Sequence, residues 1–268
     1  MGNLKQAAIP LVSGLPWTGV HYFCTTRQGG ASTGPWASFN LGEHVQDEAA
    51  RVQANRQSLD ALLPGEPLWL KQVHGAEVFD ADRAAGIGQG GDPPTADAAV
   101  TSQANRVLAI MTADCLPVVL ASTDGRYLGV AHAGWRGLAA GVLENTLQAL
   151  RERAPAQTSW RAWVGPAISQ RHFEVGADVY QAFTQRDPGT AVFFAEKTAG
   201  LKWLADLPAL ARHRLHQAGV ANIELSGQCT FERDGMYYSY RRHAVTGRMA
   251  TLAWLQERGQ MQRSGPRG

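Results

Sequence analysis

The 268-residue chain is poor in charge, poor in cysteine and without a long apolar run, and each shortage removes a class of protein. Charged residues make up 18% and the net charge is +2, with no block of five like charges. The electrostatic footprint of a nucleic-acid binder is therefore missing, and no nucleic-acid partner is expected. The densest basic stretch, ERGQMQRSGPRG, reads as a solvated terminus over 259–268. No window approaches 18 consecutive apolar residues, so no membrane-spanning helix is expected. The first residues, MGNLKQAAIPLVSG, lack the basic, apolar and small-residue order of a signal peptide, and Gln6 breaks a myristoylation pattern. Three widely spaced cysteines, Cys24, Cys115 and Cys229, are too few and odd in number for a disulfide framework, which points to a reducing cytoplasm. Neither a fixed-period repeat nor a Pro/Gly/Ser linker divides the chain, so a single domain over 1–258 is expected.

What is present suits a large core, since 44% of residues are hydrophobic. VHYFCTT, RVLAIMT, PVVLAST, YLGVAHA, WRAWV, NIELSG and RMATLAWLQ have strand length, and DGR between the third and fourth signals a hairpin. PLWLKQVH and MYYSYRR are also read as strands. Helical spacing appears in DEAARVQANRQSLDALL, LAAGVLENTLQALRER, EVGADVYQAF and DLPALARHRLHQAG, the last with Asp206 as N-cap and Gly219 as stop. Strands and helices are interspersed without a regular βαβ rhythm, which predicts a mixed α+β domain. GIGQGG has the letters of a dinucleotide fingerprint, but no strand leads into it and no helix follows, so it reads as a loop.

Three residues stand at or just beyond apolar runs: His74 in KQVHGAEV, Cys115 in MTADCLPVV and His132 in GVAHAGWRG. Two imidazoles and a thiolate form a donor set for zinc, and three protein ligands would leave a fourth position open for water or substrate. Such a centre acidifies water or polarises an oxygen. The separations, 41 residues from 74 to 115 and 17 from 115 to 132, match no compact zinc signature. Copper is also accommodated, since two His and one Cys are the equatorial set of blue-copper sites, with Met111 as a nominal axial donor. The same residues permit a third chemistry, with Cys115 as nucleophile, His132 as base and Asp114, Asn40 or His74 orienting the imidazole. His213 and His216 read as a solvated helix face, His21, His44, His172 and His243 as unpartnered, and Cys24 and Cys229 as packing residues.

The segments TTRQGG, SFNLGEHV, ANR, KQVHG, TADCLPV, HAGWRGL, GPAI, FEVG, CTFE and YSYRRHAVTGRMA occur in one order across residues 20 to 256. In that order and spacing the chain resembles the YfiH family, also called laccase-domain or multicopper polyphenol oxidase-like proteins. The resemblance implies a fold of stacked mixed sheets between helical layers, similar to cytotoxic-necrotizing-factor-like hydrolases. It implies that His74, Cys115 and His132 bind a catalytic metal. It also implies phosphorolysis of adenosine, inosine and methylthioadenosine to free base and ribose 1-phosphate, with adenosine deamination as a second activity. The partners are then purine nucleosides and phosphate. Within that implication Asp114 is the candidate proton shuttle, Arg136 the first candidate for clamping phosphate, and Asn40, Arg56 and Gln72 are further candidate contacts. Two other enzyme readings stay open, a copper-dependent phenol oxidase and a cysteine amidase. Many family members carry a cysteine before the EVG segment, where this chain has SQRHFEVG.

Overall fold

Consecutive residues of the central strands bury on opposite sides, and this alternation builds two stacked sheets rather than one. The structure is a computed structural model describing residues 9–83 and 92–257. The GIGQGG segment and the 259–268 tail lie outside them. In chain order the elements are β1 (Leu11–Val12), β2 (Val20–Thr25), α1 (Ala49–Asp60), β3 (Val78–Asp80), β4 (Ala98–Thr101), β5 (Leu108–Thr112), β6 (Leu116–Ser122) and β7 (Leu128–Ala133). There follow α2 (Trp135–Ala140), α3 (Val142–Arg151), β8 (Trp160–Val164), β9 (Glu174–Gly176), α4 (Ala177–Thr184), β10 (Phe194–Thr198), β11 (Lys202–Ala205), α5 (Leu207–Gln217), β12 (Asn222–Leu225) and β13 (Met249–Leu255).

Six strands form a mixed sheet in the order β12-β8-β6-β7-β4-β3, and four form an antiparallel sheet in the order β1-β2-β13-β5. A small third sheet runs β10-β11-β9. Along β6, Leu116, Val118 and Leu120 face α3 and α5, packing on Val142, Leu147, Leu210 and Leu215. Val119 and Ala121 face the other way, against Tyr22, Cys24, Leu108, Ile110 and Trp163 between the two sheets. The outer face of the four-stranded sheet offers Phe23, Ala109 and Leu252 to Leu59 of α1 and to Phe39 and Leu41. The architecture is thus helix, sheet, sheet, helix, a mixed α+β fold as the residue patterns predicted. Each of the fully buried Leu, Ile and Val side chains among them contributes about 1.5–3 kcal/mol.

Four of the segments assigned in the sequence take a different form. LAAGVLENTLQALRER is two helices, because Gly141 at φ 99° ends α2 and begins α3. EVG is strand β9, and its helix starts only at Ala177. PLWLKQVH makes isolated bridges at Leu68 and Lys71 but no strand. Leu68 and Lys71 bond the backbone of Val107, Ala109 and Pro94, the Gln72 side-chain amide pairs both the N–H and the C=O of Met111, and the next three N–H groups go to the Asp97 carboxylate. MYYSYRR is a run of turns, with the N–H groups of Met236 and Tyr237 both on the Arg233 carbonyl and that of Arg241 on a carboxylate of Asp114. The predicted hairpin does form, β6 pairing β7 across a turn with Gly125 at φ 66°. Asp206 caps α5 by accepting from Ala209 N–H, and Gly219, past the end of α5, has a φ of 87°.

Candidate metal centre

β6 and β7 are antiparallel neighbours, with Pro117 opposite His132 and Leu116 opposite Ala133. Cys115, just before β6, therefore lies beside His132 near the end of β7. Asp114 at φ 92° turns the chain into β6, and His74 at φ 61° turns the loop after Gln72, two left-handed non-glycine residues at one site. The donor atoms of His74, Cys115 and His132 all lie within 4.8 Å of one another. Cys115 Sγ is 3.9 Å from His74 Nε2, and the two imidazoles meet edge to face at 4.7 Å between centroids. Zinc bonds of about 2.0–2.3 Å in a tetrahedron need donor separations of about 3.3–3.7 Å, so small side-chain movements suffice. Gly134 stands against this set: a Cβ there would lie 2.9 Å from His74 Cδ2 and 3.0 Å from Cys115 Sγ. Among the described residues the trio includes no fourth His, Cys, Asp or Glu.

Asp97 organises the trio and was not singled out in the sequence. It is fully buried, and its Oδ1 lies 2.7 Å from His132 Nδ1. The same carboxylate accepts from the N–H groups of Val73, His74 and Gly75 at 3.1, 3.0 and 2.6 Å. One side chain thus fixes the His132 ring through Nδ1, leaving Nε2 for the centre, and holds the loop that carries His74. The signal was present, since TADAAV places an acid directly before an apolar strand, but nothing local links it to residues 74 and 132.

Charge couples the donors. Burial pushes the Cys115 thiol up, but the His132 and His74 imidazoles outweigh it and bring it down to about 6. Burial likewise pushes His132 down, and Cys115 together with Asp97 reverses this, raising it to about 9. Burial would raise Asp97, yet its hydrogen bonds from His132 and from the Gly75 and Val73 N–H groups hold it below the usual carboxylate range. Without metal the centre is a thiolate–imidazolium pair backed by a carboxylate.

Asp114 is buried, and both its oxygens are engaged: Oδ1 accepts from Thr230 Oγ1 at 2.6 Å, Oδ2 from Ser239 Oγ at 3.0 Å and Arg241 N–H at 2.7 Å. Arg136 is exposed in the first turn of α2, its guanidinium stacked over Trp135 at 4.3 Å. Gln72 is committed to Met111. Asn40 is fully buried, bonded to Gly42, Asp47 and the Arg248 N–H, while Arg56 donates to Leu41 O, pairs with Glu43 and stacks on Trp69. Neither contacts the trio through these bonds. The sequence reading missed Arg248, whose backbone Asn40 holds. Burial lowers its guanidinium, and the charges of Cys115, Asp114 and Tyr240 act against that lowering. Two histidines read as unpartnered or solvated have carboxylate partners: His172 on Glu232 at 3.0 Å and His213 on Asp187 at 2.8 Å.

A mixed α+β fold carrying a His–Cys–His set that runs from the exposed His74 to the buried His132, with a buried carboxylate behind it, defines a candidate metalloenzyme. The family described as multi-copper polyphenol oxidoreductase laccase matches residues 21–256, and the chain belongs to it. It is 46% identical over 248 residues to a Xylella fastidiosa (strain Temecula1) protein named purine nucleoside phosphorylase, covering 90% of this chain and 94% of that one. It is 42% identical over 239 residues to the Escherichia coli (strain K12) protein named purine nucleoside phosphorylase YfiH, covering 88% and 94%. The crystal structure of Neisseria meningitidis protein NMB0706 superposes with a TM-score of 0.84 at 41% identity, over 93% of this chain and 99% of that one. YlmD from Geobacillus stearothermophilus gives 0.82 at 31% identity, over 91% and 94%.

Proposed function

We propose that the chain is a metal-dependent purine nucleoside phosphorylase acting on adenosine, inosine and methylthioadenosine, with adenosine deamination as a second activity. The observation that carries this reading is the three-donor set with an organising carboxylate, in a chain 42–46% identical along most of its length to relatives bearing that activity in their names. His74, Cys115 and His132 are the ligands, and zinc is the assigned ion because three protein donors and an open position suit it; copper(II) fits the same donors. When bound, the ion supplies Lewis acidity near the reacting carbon. In phosphorolysis the bond from the anomeric carbon to the purine nitrogen breaks, a phosphate oxygen bonds that carbon, and the base leaves with a proton.

The residues divide the remaining work. Asp97 holds His132 in the ligating tautomer and the 73–75 loop in place. Exposed Arg136 and half-buried Arg248 are the cations assigned to phosphate, the first free of ion pairs among the described residues and the second in the field of Cys115. Asp114, already accepting three hydrogen bonds, is assigned mainly to presenting Cys115; a proton-shuttling role requires one of them to yield. Asn40, Arg56 and Gln72 position their neighbours rather than substrate. The activity is assigned to one catalytic domain over 1–258. All three cysteines are free and no described helix is long and apolar enough to cross a membrane, in keeping with a cytoplasmic setting.

The test is inosine turnover by protein of defined metal content, with and without phosphate. Phosphate-dependent release of hypoxanthine with ribose 1-phosphate supports the reading; base release that ignores phosphate overturns it. A copper-dependent phenol oxidase remains the second reading, favoured by the description of the family model. Phenolic dye oxidation by copper-loaded protein, absent from zinc-loaded protein, supports it. The lowered Cys115 thiol keeps a cysteine amidase in view, which full turnover by Cys115→Ser would end.

A further inference from the structure

We propose that His172, Cys229 and Glu232 form a second site for a zinc-class divalent cation, separate from the first. Their donor atoms lie within 4.8 Å of one another, and they come from different turns of the chain. His172 closes a short helical turn, Gln170–His172, before β9, while Cys229 and Glu232 follow β12. Imidazole nitrogen, thiolate sulfur and carboxylate oxygen are the three donor types that zinc takes, and three protein ligands leave one position free.

The surrounding structure holds these donors in place. Cys229 is bridged to Ala167, with Ala167 N–H on Gln228 O and Thr230 N–H on Ala167 O, so its backbone is fixed on both sides. Its Sγ accepts from Ser169 N–H at 3.3 Å. The His172 ring is stacked on Phe231 at 4.4 Å and 15°, with Nε2 turned 3.0 Å from Glu232 Oε1. A second observation points to a ligand there. Cys229 and Glu232 line a cavity of about 350 Å³, and the Ser169 hydroxyl in the same wall is buried with no hydrogen-bond partner. An ion on the three donors would carry a water into that cavity, within the polar wall that Ser169 and Gln228 provide.

The site would also brace the first one. Cys229 precedes Thr230, whose hydroxyl donates to Asp114, the residue before Cys115. A cation clamping the 229–232 turn to the 170–172 turn therefore steadies the support of the first centre without touching its ligands.

The experiment equilibrates protein with zinc alone, removes free metal and counts bound zinc by mass spectrometry. Wild type should hold two ions per chain, His172→Gln/Glu232→Gln one, and His74→Ala/Cys115→Ser one. Combining all four substitutions should leave none. Cobalt loaded into His74→Ala/Cys115→Ser should give a thiolate charge-transfer band that Cys229→Ser abolishes. His172 and Glu232 are part-exposed, so their replacement leaves the core filled and the comparison on the wild-type background holds even if the other variant misfolds. One zinc per chain in wild type, or two retained by His172→Gln/Glu232→Gln, would overturn the proposal.

Discussion

Asp97→Asn tests the organisation of the centre most sharply, because a single atom exchange changes the charge and donor pattern without changing volume. In the wild type one carboxylate serves His132 Nδ1 and three backbone N–H groups. An amide keeps one oxygen acceptor and turns an NH2 toward groups that themselves donate. Loss of the charged hydrogen bond to His132 costs about 1.5–3 kcal/mol, and an N–H left without an acceptor about 1–3 kcal/mol. Together these take about 2.5–6 kcal/mol from a stability that for most domains is about 5–15 kcal/mol, so the variant should melt well below wild type. The metal effect is separable from the stability effect. An amide NH2 donating to Nδ1 moves the ring proton to Nε2, the atom required by the metal, and loss of such an outer partner weakens metal binding by about 10–100-fold. Competition against a chromophoric zinc chelator at a temperature where both proteins are folded reads this directly. Zinc affinity within about twofold of wild type, far inside that range, would refute the role given to Asp97.

Gly134→Ala should cut metal occupancy more than it lowers the melting temperature, since the nearest atoms its Cβ would meet are those of the His74 ring and the Cys115 sulfur; metal analysis beside circular dichroism checks this. The metal-free pair also predicts a pH window. The contribution of His132, whose folded value is about 9 against 6.5, is complete below 6.5 and lost as pH rises through about 9. That of Cys115, about 6 against 9.0, is complete above 9.0 and lost as pH falls through about 6. Between about 6.5 and 9 the two changes offset each other, so the stability of metal-free protein should be nearly flat there and fall only slightly as pH drops from 6.5 to about 6, and zinc binding within that interval should release about one proton, from His132, in calorimetry across buffers of different ionisation enthalpy. Release of none would contradict the pair. Asp114→Asn should lower the melting temperature, by weakening its bonds to Thr230, Ser239 and Arg241 N–H, and leave the pH dependence of kcat in place; a lost limb in that profile would return Asp114 to a proton-transfer role.

How much of this was legible follows from where each interaction is encoded. β6 and β7 showed as apolar runs because both faces are buried, and the turn between them carries its own glycine signal. The trio showed as residues beside those runs. Asp97 did not, because its four partners lie 22 to 35 residues away and its role exists only once β4 lies beside β7. The 67–74 segment misled for a related reason: its apolar pattern is that of a strand, but it makes single bridges at Leu68 and Lys71 and its last N–H groups go to the Asp97 side chain. β10 was missed because Ala195–Thr198 are exposed and mostly polar, which no period distinguishes from a loop, and β11 because its four residues, Lys202–Ala205, are too few to show a period. Cys229 and His172 looked unrelated in sequence because 57 residues, from 172 to 229, separate them.

The most direct measurement is product analysis with inosine and phosphate, using zinc-loaded protein, metal-stripped protein and His74→Ala. The account predicts hypoxanthine and ribose 1-phosphate in equal amounts from the zinc-loaded protein alone. Equal rates in all three samples, or hypoxanthine released with free ribose whether or not phosphate is present, would contradict it.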